Sequence, residues 1–123
     1  MTGIAPWIAV KNATEALAFY KVAFGAIELE RHDDDAGAVV VAQLSIDGAD
    51  FWIQADADAG PDPGSGGTVR MILAVDDPDA VFTDAIAAGA TEIAAVYEDH
   101  GWRIGRVADP SGHHWEIGRR LTT

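Results

Sequence analysis

The sequence predicts an α+β fold of two tandem βαβββ modules within a single domain of residues 1–123. The length of 123 residues suits one domain, and 49% hydrophobic residues are enough to form a core. The succession of one strand, one helix and three strands occurs twice along the chain. A segment rich in glycine, proline, aspartate and serine, 57–67, separates the copies as a linker. Module 1 therefore covers about residues 1–56 and module 2 about residues 68–123.

The first module opens with an apolar run that predicts a strand over 4–10. Asn12 follows as a helix N-cap, with Glu15 three residues later as in a capping box. Apolar residues then recur at helical spacing as far as Phe24, and Gly25 stands where a glycine often ends a helix. Strands are predicted next over 27–31, 38–46 and 50–54.

The second module repeats this order, beginning with a predicted strand over 68–75. Asp77 is placed as the N-cap of the second helix, and Pro78 suits its first position. The helix ends at Gly89 after an apolar stripe of Val81, Phe82, Ala85 and Ile86. Strands are then predicted over 92–97, 102–108 and 114–118.

The two halves align at an offset of 64, which pairs Phe51 with Trp115 and Trp52 with Glu116. This internal duplication implies a pseudo-twofold axis and a groove between two sheet faces. Alternation along strands predicts which residues face the helices: Pro6, Ile8, Val10, Val40, Ala42, Leu44, Ile46, Phe51, Ile53, Met71, Leu73, Val75, Ile104, Trp115 and Ile117.

The opposite, groove face is predicted to mix aromatic and polar side chains, as ligand pockets do. A register slip of one residue would exchange the two faces. The predicted groove residues are Trp7, Val41, Gln43, Trp52, Gln54, Arg70, Ile72, Arg103, His114 and Glu116.

Composition limits the classes of function. The chain has no cysteine, which excludes disulfides and thiolate sites. Its net charge of −12 argues against nucleic-acid binding, because phosphate contacts need clustered lysine and arginine. No apolar run approaches the roughly 20 residues that span a membrane, and no signal sequence is recognisable. We therefore expect a cytoplasmic protein without membrane or nucleic-acid partners.

Two motifs carry a resemblance to a known family. Glu15-Ala16-Leu17-Ala18-Phe19-Tyr20 in the first helix and Asp109-Pro110-Ser111-Gly112-His113 before the last strand resemble the vicinal oxygen chelate superfamily. This group contains glyoxalase I, bleomycin-resistance proteins and extradiol dioxygenases. Segment 19–26, together with 101–115, looks most like the PhnB-like branch. The resemblance implies curved mixed sheets around a cavity and a homodimer in which the partner chain often completes that cavity.

Metal-dependent members of this superfamily place ligands at four equivalent points, one each on the first and last strand of each module. Carried onto this chain, these points are Ala5, Trp52, Arg70 and Glu116, of which only Glu116 can bind a divalent cation. His114, on the same predicted face, is the neighbour that could add a second ligand. We therefore expect no complete metal site and no cofactor. Arg70 is predicted to pair with Glu116 and to supply the positive charge instead of a metal.

The predicted ligand-binding residues are Trp7, Gln43, Trp52, Arg70, Arg103 and Glu116. Trp115 is assigned to the core by its alternation, and His113 to the turn. Arg103 either binds a ligand carboxylate or phosphate, or forms a structural pair with Asp99 or Glu98. Glu116 and His114 are the candidate catalytic residues, although such a histidine can also simply donate to a carbonyl group.

Three functions stay open. The first, favoured by the missing metal ligands, is a bleomycin-resistance-like binder that holds a small aromatic molecule in a dimer cavity. The second is a metal-dependent enzyme of glyoxalase or dioxygenase type that binds its metal through Glu116. The third is a metal-free lyase or isomerase with Glu116 or His114 as the base and an arginine, Arg70 or Arg103, holding an anion.

Overall fold

The structure is a computed structural model that describes residues 1–121. The chain forms two compact units. The first comprises Met1–Gly60 and the second begins at Pro61. Each unit contains one strand, one helix and three further strands, which form one open four-stranded sheet. The predicted α+β class and the repeated βαβββ order are confirmed. Within residues 1–121, neither helix has the length and apolarity that crossing a membrane requires.

The first unit consists of β1 (Trp7–Val10), α1 (Ala13–Phe24), β2 (Ile27–Asp33), β3 (Val39–Ile46) and β4 (Ala49–Ala55). Its sheet has the order β1-β4-β3-β2, with β1 parallel to β4 and the other pairs antiparallel. Strand β1 starts at Trp7, three residues after the predicted start.

Helix α1 has the predicted ends. The Asn12 side chain accepts a hydrogen bond from the Glu15 backbone N–H at 3.0 Å, which satisfies one of the unpaired donors at the helix start. Gly25 has a φ of +68°, a left-handed conformation that glycine adopts without a steric cost. The buried face of α1 packs against β3 and β4, and Tyr20 contacts Phe51 edge-to-face at 5.2 Å.

One residue of β3 departs from the predicted alternation. Val39 is buried and Val40 is 38% exposed, although Val40 was expected to face the helix. The pairing with β2 shifts between His32 and Asp33, so that Val40 has no partner residue across the ladder. Such a bulge inserts one extra residue and exchanges the faces beyond it, which the sequence pattern does not reveal.

The second unit consists of β5 (Met71–Ala74), α2 (Pro78–Ala87), β6 (Thr91–Asp99), β7 (Trp102–Ala108) and β8 (His114–Arg120). Its sheet has the order β5-β8-β7-β6, with β5 parallel to β8. The Asp77 side chain accepts from the Ala80 N–H at 3.1 Å, and Pro78 is the first helical residue. Both capping predictions are confirmed.

The predicted faces of β7 are wrong by one residue. Arg106 pairs with Glu116 and Ile104 with Gly118 across the ladder, so these β7 residues share the face of Glu116, while Arg103 and Gly105 face α2. The physical reason lies at Gly105, where an added Cβ would overlap the Phe82 ring of α2. Glycine permits the close approach of β7 to the helix here, whereas alternation along the predicted strand had placed Ile104 on the helix side.

The turn before β8 is organised by a buried carboxylate. Asp109 is 4% exposed and accepts hydrogen bonds from the backbone N–H groups of Ser111 and His113 at 2.9 and 3.1 Å. Its other oxygen accepts from the Trp115 indole at 2.9 Å. The assignments of Trp115 to the core and of His113 to the turn are both confirmed.

Candidate functional site

The centre of the site in the second unit is the Glu116 carboxylate on β8. Arg106 lies directly opposite it on β7 and donates to Glu116 Oε1 at 2.8 Å. Arg70, which immediately precedes β5, donates to the same oxygen. The predicted Arg70–Glu116 ion pair is therefore present, and a second arginine joins it. Arg106 was missed because its approach to Glu116 depends on the β7–β8 register rather than on any sequence motif.

The charge of Glu116 is stabilised by these two arginines. Partial burial raises the pKa of Glu116, but the hydrogen bonds from Arg106 and Arg70 and their positive charges outweigh burial and lower the pKa below its ordinary value. The carboxylate is therefore ionised at neutral pH, and it is a weak proton acceptor.

A concavity of about 350 Å³ opens beside this carboxylate. Four apolar or aromatic side chains and two carboxylates line it: Ile72, Tyr97, Trp102, Ile104, Asp99 and Glu116. A smaller recess of about 30 Å³ shares Tyr97, Ile104 and Glu116 with it and is also lined by Arg106. The second unit thus combines an apolar hollow with a small charged centre, as sites for small molecules commonly do.

The residues around Glu116 do not fit a divalent metal. Its nearest charged partners are two guanidiniums, which carry only N–H donors and permanent positive charge and therefore cannot act as ligands. Within residues 1–121, no three histidine or acidic side chains are grouped so that they could hold a metal ion. The side chains around Glu116 instead form a carboxylate that is paired with two arginines.

The first unit presents an aromatic pair on one sheet face. Trp7 and Trp52 are partners in the parallel β1–β4 ladder, and their rings stack at 5.6 Å with an interplanar angle of 21°. The Trp7 indole donates to Gln54 Oε1 at 2.9 Å, and Gln43 lies opposite Trp52 on β3. Trp7 is 54% exposed. The structure thus brings together the predicted residues Trp7, Gln43 and Trp52.

Arg103 does not join the predicted site. Its guanidinium makes two hydrogen bonds to the Asp79 carboxylate of α2, at 2.7 and 2.8 Å, and a longer one to Glu98 at 3.4 Å. The hydrogen bond from Arg103 lowers the pKa of Asp79. The alternative of a structural ion pair is correct, with Asp79 as the principal partner and Glu98 as the second.

His114 is covered by the segment that precedes β5. Its side chain is 3% exposed, and its Nε2 lies 2.6 Å from the Pro63 carbonyl oxygen. Its Nδ1 is buried without a hydrogen-bond partner among the described residues. A Cβ added at Gly66 would overlap the imidazole ring. These contacts match the alternative in which His114 interacts with a carbonyl group.

Sequence comparison with known proteins gives a matching family and relatives of similar length. The model of the Glyoxalase-like domain family matches residues 7–118. The uncharacterized protein Mb0911c of Mycobacterium bovis is 38% identical over 125 residues, which cover 94% of this chain and 82% of that protein.

Solved structures share the fold. TioX from Micromonospora sp. ML1 has a TM-score of 0.74 at 24% identity, covering 99% of this chain and 98% of its own. A glyoxalase/bleomycin resistance protein/dioxygenase family enzyme from Burkholderia phytofirmans PsJN has a TM-score of 0.74 at 22% identity, covering 94% and 95%. The chain therefore belongs to the Glyoxalase-like domain family, in agreement with the resemblance that its sequence motifs show.

Proposed function

We propose that the protein binds a small aromatic molecule without turnover, in a cavity that a second copy of the chain completes. The observation that carries this proposal is the hollow of the second unit, whose volume of about 350 Å³ lies within the ~300–1,000 Å³ typical of small-molecule sites. Tyr97 and Trp102 supply aromatic side chains to its lining, and the adjacent Glu116 is already paired with arginines.

A binding role is one of those that a neighbour in structure names, since the family name of the Burkholderia phytofirmans enzyme contains bleomycin resistance protein beside glyoxalase and dioxygenase. Sequestration of an antibiotic or a similar compound requires an apolar hollow and no metal. The stacked Trp7 and Trp52 of the first unit add a second exposed aromatic surface, which suits a planar ligand because aromatic pairs favour offset stacking.

The two candidate bases are poorly placed for catalysis. The lowered pKa of Glu116 makes its carboxylate a weak base near neutral pH. His114 is buried and engaged with the Pro63 carbonyl oxygen. These observations favour binding over proton abstraction.

A fluorescence titration with N-phenyl-1-naphthylamine, a neutral aromatic probe, tests the proposal. We expect saturable binding that Trp102→Ala weakens by about 3- to 10-fold, because one aromatic contact is worth roughly 0.5–1.5 kcal/mol. Trp7→Ala reports whether the first unit contributes. Val22→Ala, at an exposed position on α1, is the matched control and should bind like the wild type. Absence of saturable binding, or full affinity in Trp102→Ala, would contradict the proposal.

A further inference from the structure

The cluster at Glu116 carries an excess of positive charge, although the whole chain has a net charge of −12. The guanidiniums of Arg70 and Arg106 face one carboxylate, and both donate to the same oxygen, Oε1. Each guanidinium has five N–H donors, and its bond to Glu116 uses one of them. The remaining donors can serve an acceptor supplied by a ligand.

Both arginines are partly exposed, and Arg106 is accessible from the hollow side of the sheet. Arg106 is 31% exposed and lines the recess that adjoins the 350 Å³ concavity. Arg70 is 48% exposed. The recess of about 30 Å³ exceeds the ~10–15 Å³ that one water molecule needs, so polar atoms can reach Arg106 from this side.

Two other charged residues, opposite in sign, lie in the lining of the hollow or next to a residue that lines it. Asp99 lines it and lies 2.8 Å from the ring of His100. Arg120 stands 5.2 Å from the centre of the Trp102 ring. The local excess of positive charge that an anionic group can meet is therefore at Glu116, where two guanidiniums face one carboxylate.

We infer that this site selects an organic anion, with its aromatic or apolar body beside Tyr97 and Trp102 and its anionic group on Arg70 and Arg106. The inference rests on the proposed function and adds the charge class of the ligand. Arginine suits this role because its planar fork is always charged and forms paired hydrogen bonds with carboxylates and similar anions. Glu116 then acts as a positioning residue that holds two like charges side by side.

A matched pair of probes tests the inference. 8-Anilinonaphthalene-1-sulfonate has the ring system of N-phenyl-1-naphthylamine plus one sulfonate group. We expect the dissociation constant of the sulfonate probe to be about tenfold lower than that of the neutral probe at low salt, since one charge-assisted contact contributes on that order. Arg70→Gln and Arg106→Gln should each bring the ratio of the two dissociation constants, measured for both probes on the same variant, close to one.

Two further variants sharpen the test. Glu116→Gln removes the negative charge and keeps both arginines and an oxygen that they can bind, so it should increase the preference for the sulfonate probe, measured as the ratio of the two dissociation constants. Arg31→Gln removes one positive charge from a surface ion pair of the first unit and is the control for net charge. Circular dichroism and thermal melts verify that every variant is folded.

The outcomes separate the two proposals. Equal affinity for both probes, or sulfonate binding that withstands Arg70→Gln and Arg106→Gln, would overturn the inference and leave the proposed function standing. If the neutral probe did not bind saturably, the proposed function would fail, and the inference that rests on it would fail as well.

Discussion

The Glu116 side chain is only 15% exposed, and its charge is tolerated there because two arginines donate to it. Desolvation of a carboxylate is costly unless opposite charges and hydrogen bonds compensate for it. Here the compensation exceeds the cost, since the net effect on the pKa of Glu116 is a decrease.

This decrease predicts how stability depends on pH. A carboxyl group with a lower pKa in the folded protein stabilises it fully above the pKa of the unfolded chain, and this contribution is lost as pH falls through the folded pKa. Glu116→Gln should therefore lose less unfolding free energy than the wild type on acidification. Urea denaturation between pH 7 and pH 3 measures this difference.

Glu28→Gln is the control for that series, because Glu28 pairs with Lys21 and Arg31 at the surface. Its pH profile should follow the wild type, since exposed ion pairs contribute little. Identical profiles for Glu116→Gln and the wild type would show that the arginine pairs do not stabilise the ionised carboxylate.

Asp109 supports the turn that leads into β8. Asp109→Ala would leave the buried Trp115 indole and the turn N–H groups without this acceptor. Each buried donor without a partner costs roughly 1–3 kcal/mol, so we expect a loss of at least about 2 kcal/mol in urea denaturation.

Asp35→Ala, in the exposed turn between β2 and β3, is the matched control and should change stability by less than about 0.5 kcal/mol. A similarly small effect of Asp109→Ala would mean that the turn forms without its carboxylate.

Prediction from sequence succeeded at single residues where the reason is local. The Asn12 and Asp77 caps were predicted from nearby residue types, whereas Arg70 and Glu116 were paired because the family resemblance places both at metal-ligand points. Arg106 was missed because its partnership with Glu116 exists only once β7 and β8 are in register. Arg103 was misplaced for the related reason that its face depends on that same register.

At the scale of elements, the order of helices and strands could be predicted, and their bounds differ by a few residues. Strand β7 was predicted with its observed bounds but with its faces exchanged. The Val40 bulge shows the same limitation, because pairing between strands and not composition decides which residue is extra. No pattern in the sequence predicted that the linker would contact His114.

A testable prediction at the scale of elements concerns the linker segment 61–67. Gly66 has a φ of +73°, and a Cβ there would overlap the His114 ring. Gly66→Ala should therefore reduce the unfolding free energy by about 1–3 kcal/mol, since it adds both backbone strain and a clash. Urea denaturation gives the measurement.

Gly64→Ala, two residues earlier, is the matched control because its added Cβ would make an ordinary contact of 3.4 Å with Asp62 Oδ1. Similar stabilities of the Gly64→Ala and Gly66→Ala variants would contradict the close packing of this segment on His114.

At the scale of the whole molecule, the internal duplication was the strongest signal, because the two units share one order of elements and one sheet topology. All residues of the edge strand β2 are exposed, including Ile27 at 60% and Leu29 at 49%. Exposed edges with apolar side chains favour association with another chain.

We therefore predict a homodimer. Light scattering at micromolar concentration should give twice the mass of one chain, and replacing both Ile27 and Leu29 by lysine should shift the protein towards the monomer. Ile4→Lys, at an exposed position before β1, is the control. A wild-type protein with the mass of a single chain would remove the shared cavity from the proposed function.

The metal content of the purified protein tests most directly the claim that arginines, and not a metal, supply the positive charge at Glu116. It would be measured before and after incubation with excess Zn²⁺, Ni²⁺, Fe²⁺ or Mn²⁺ followed by desalting, for the wild type and for Glu116→Gln. We predict far less than one equivalent per chain in both proteins, because two guanidiniums occupy the carboxylate. About one equivalent in the wild type that disappears in Glu116→Gln would contradict the claim.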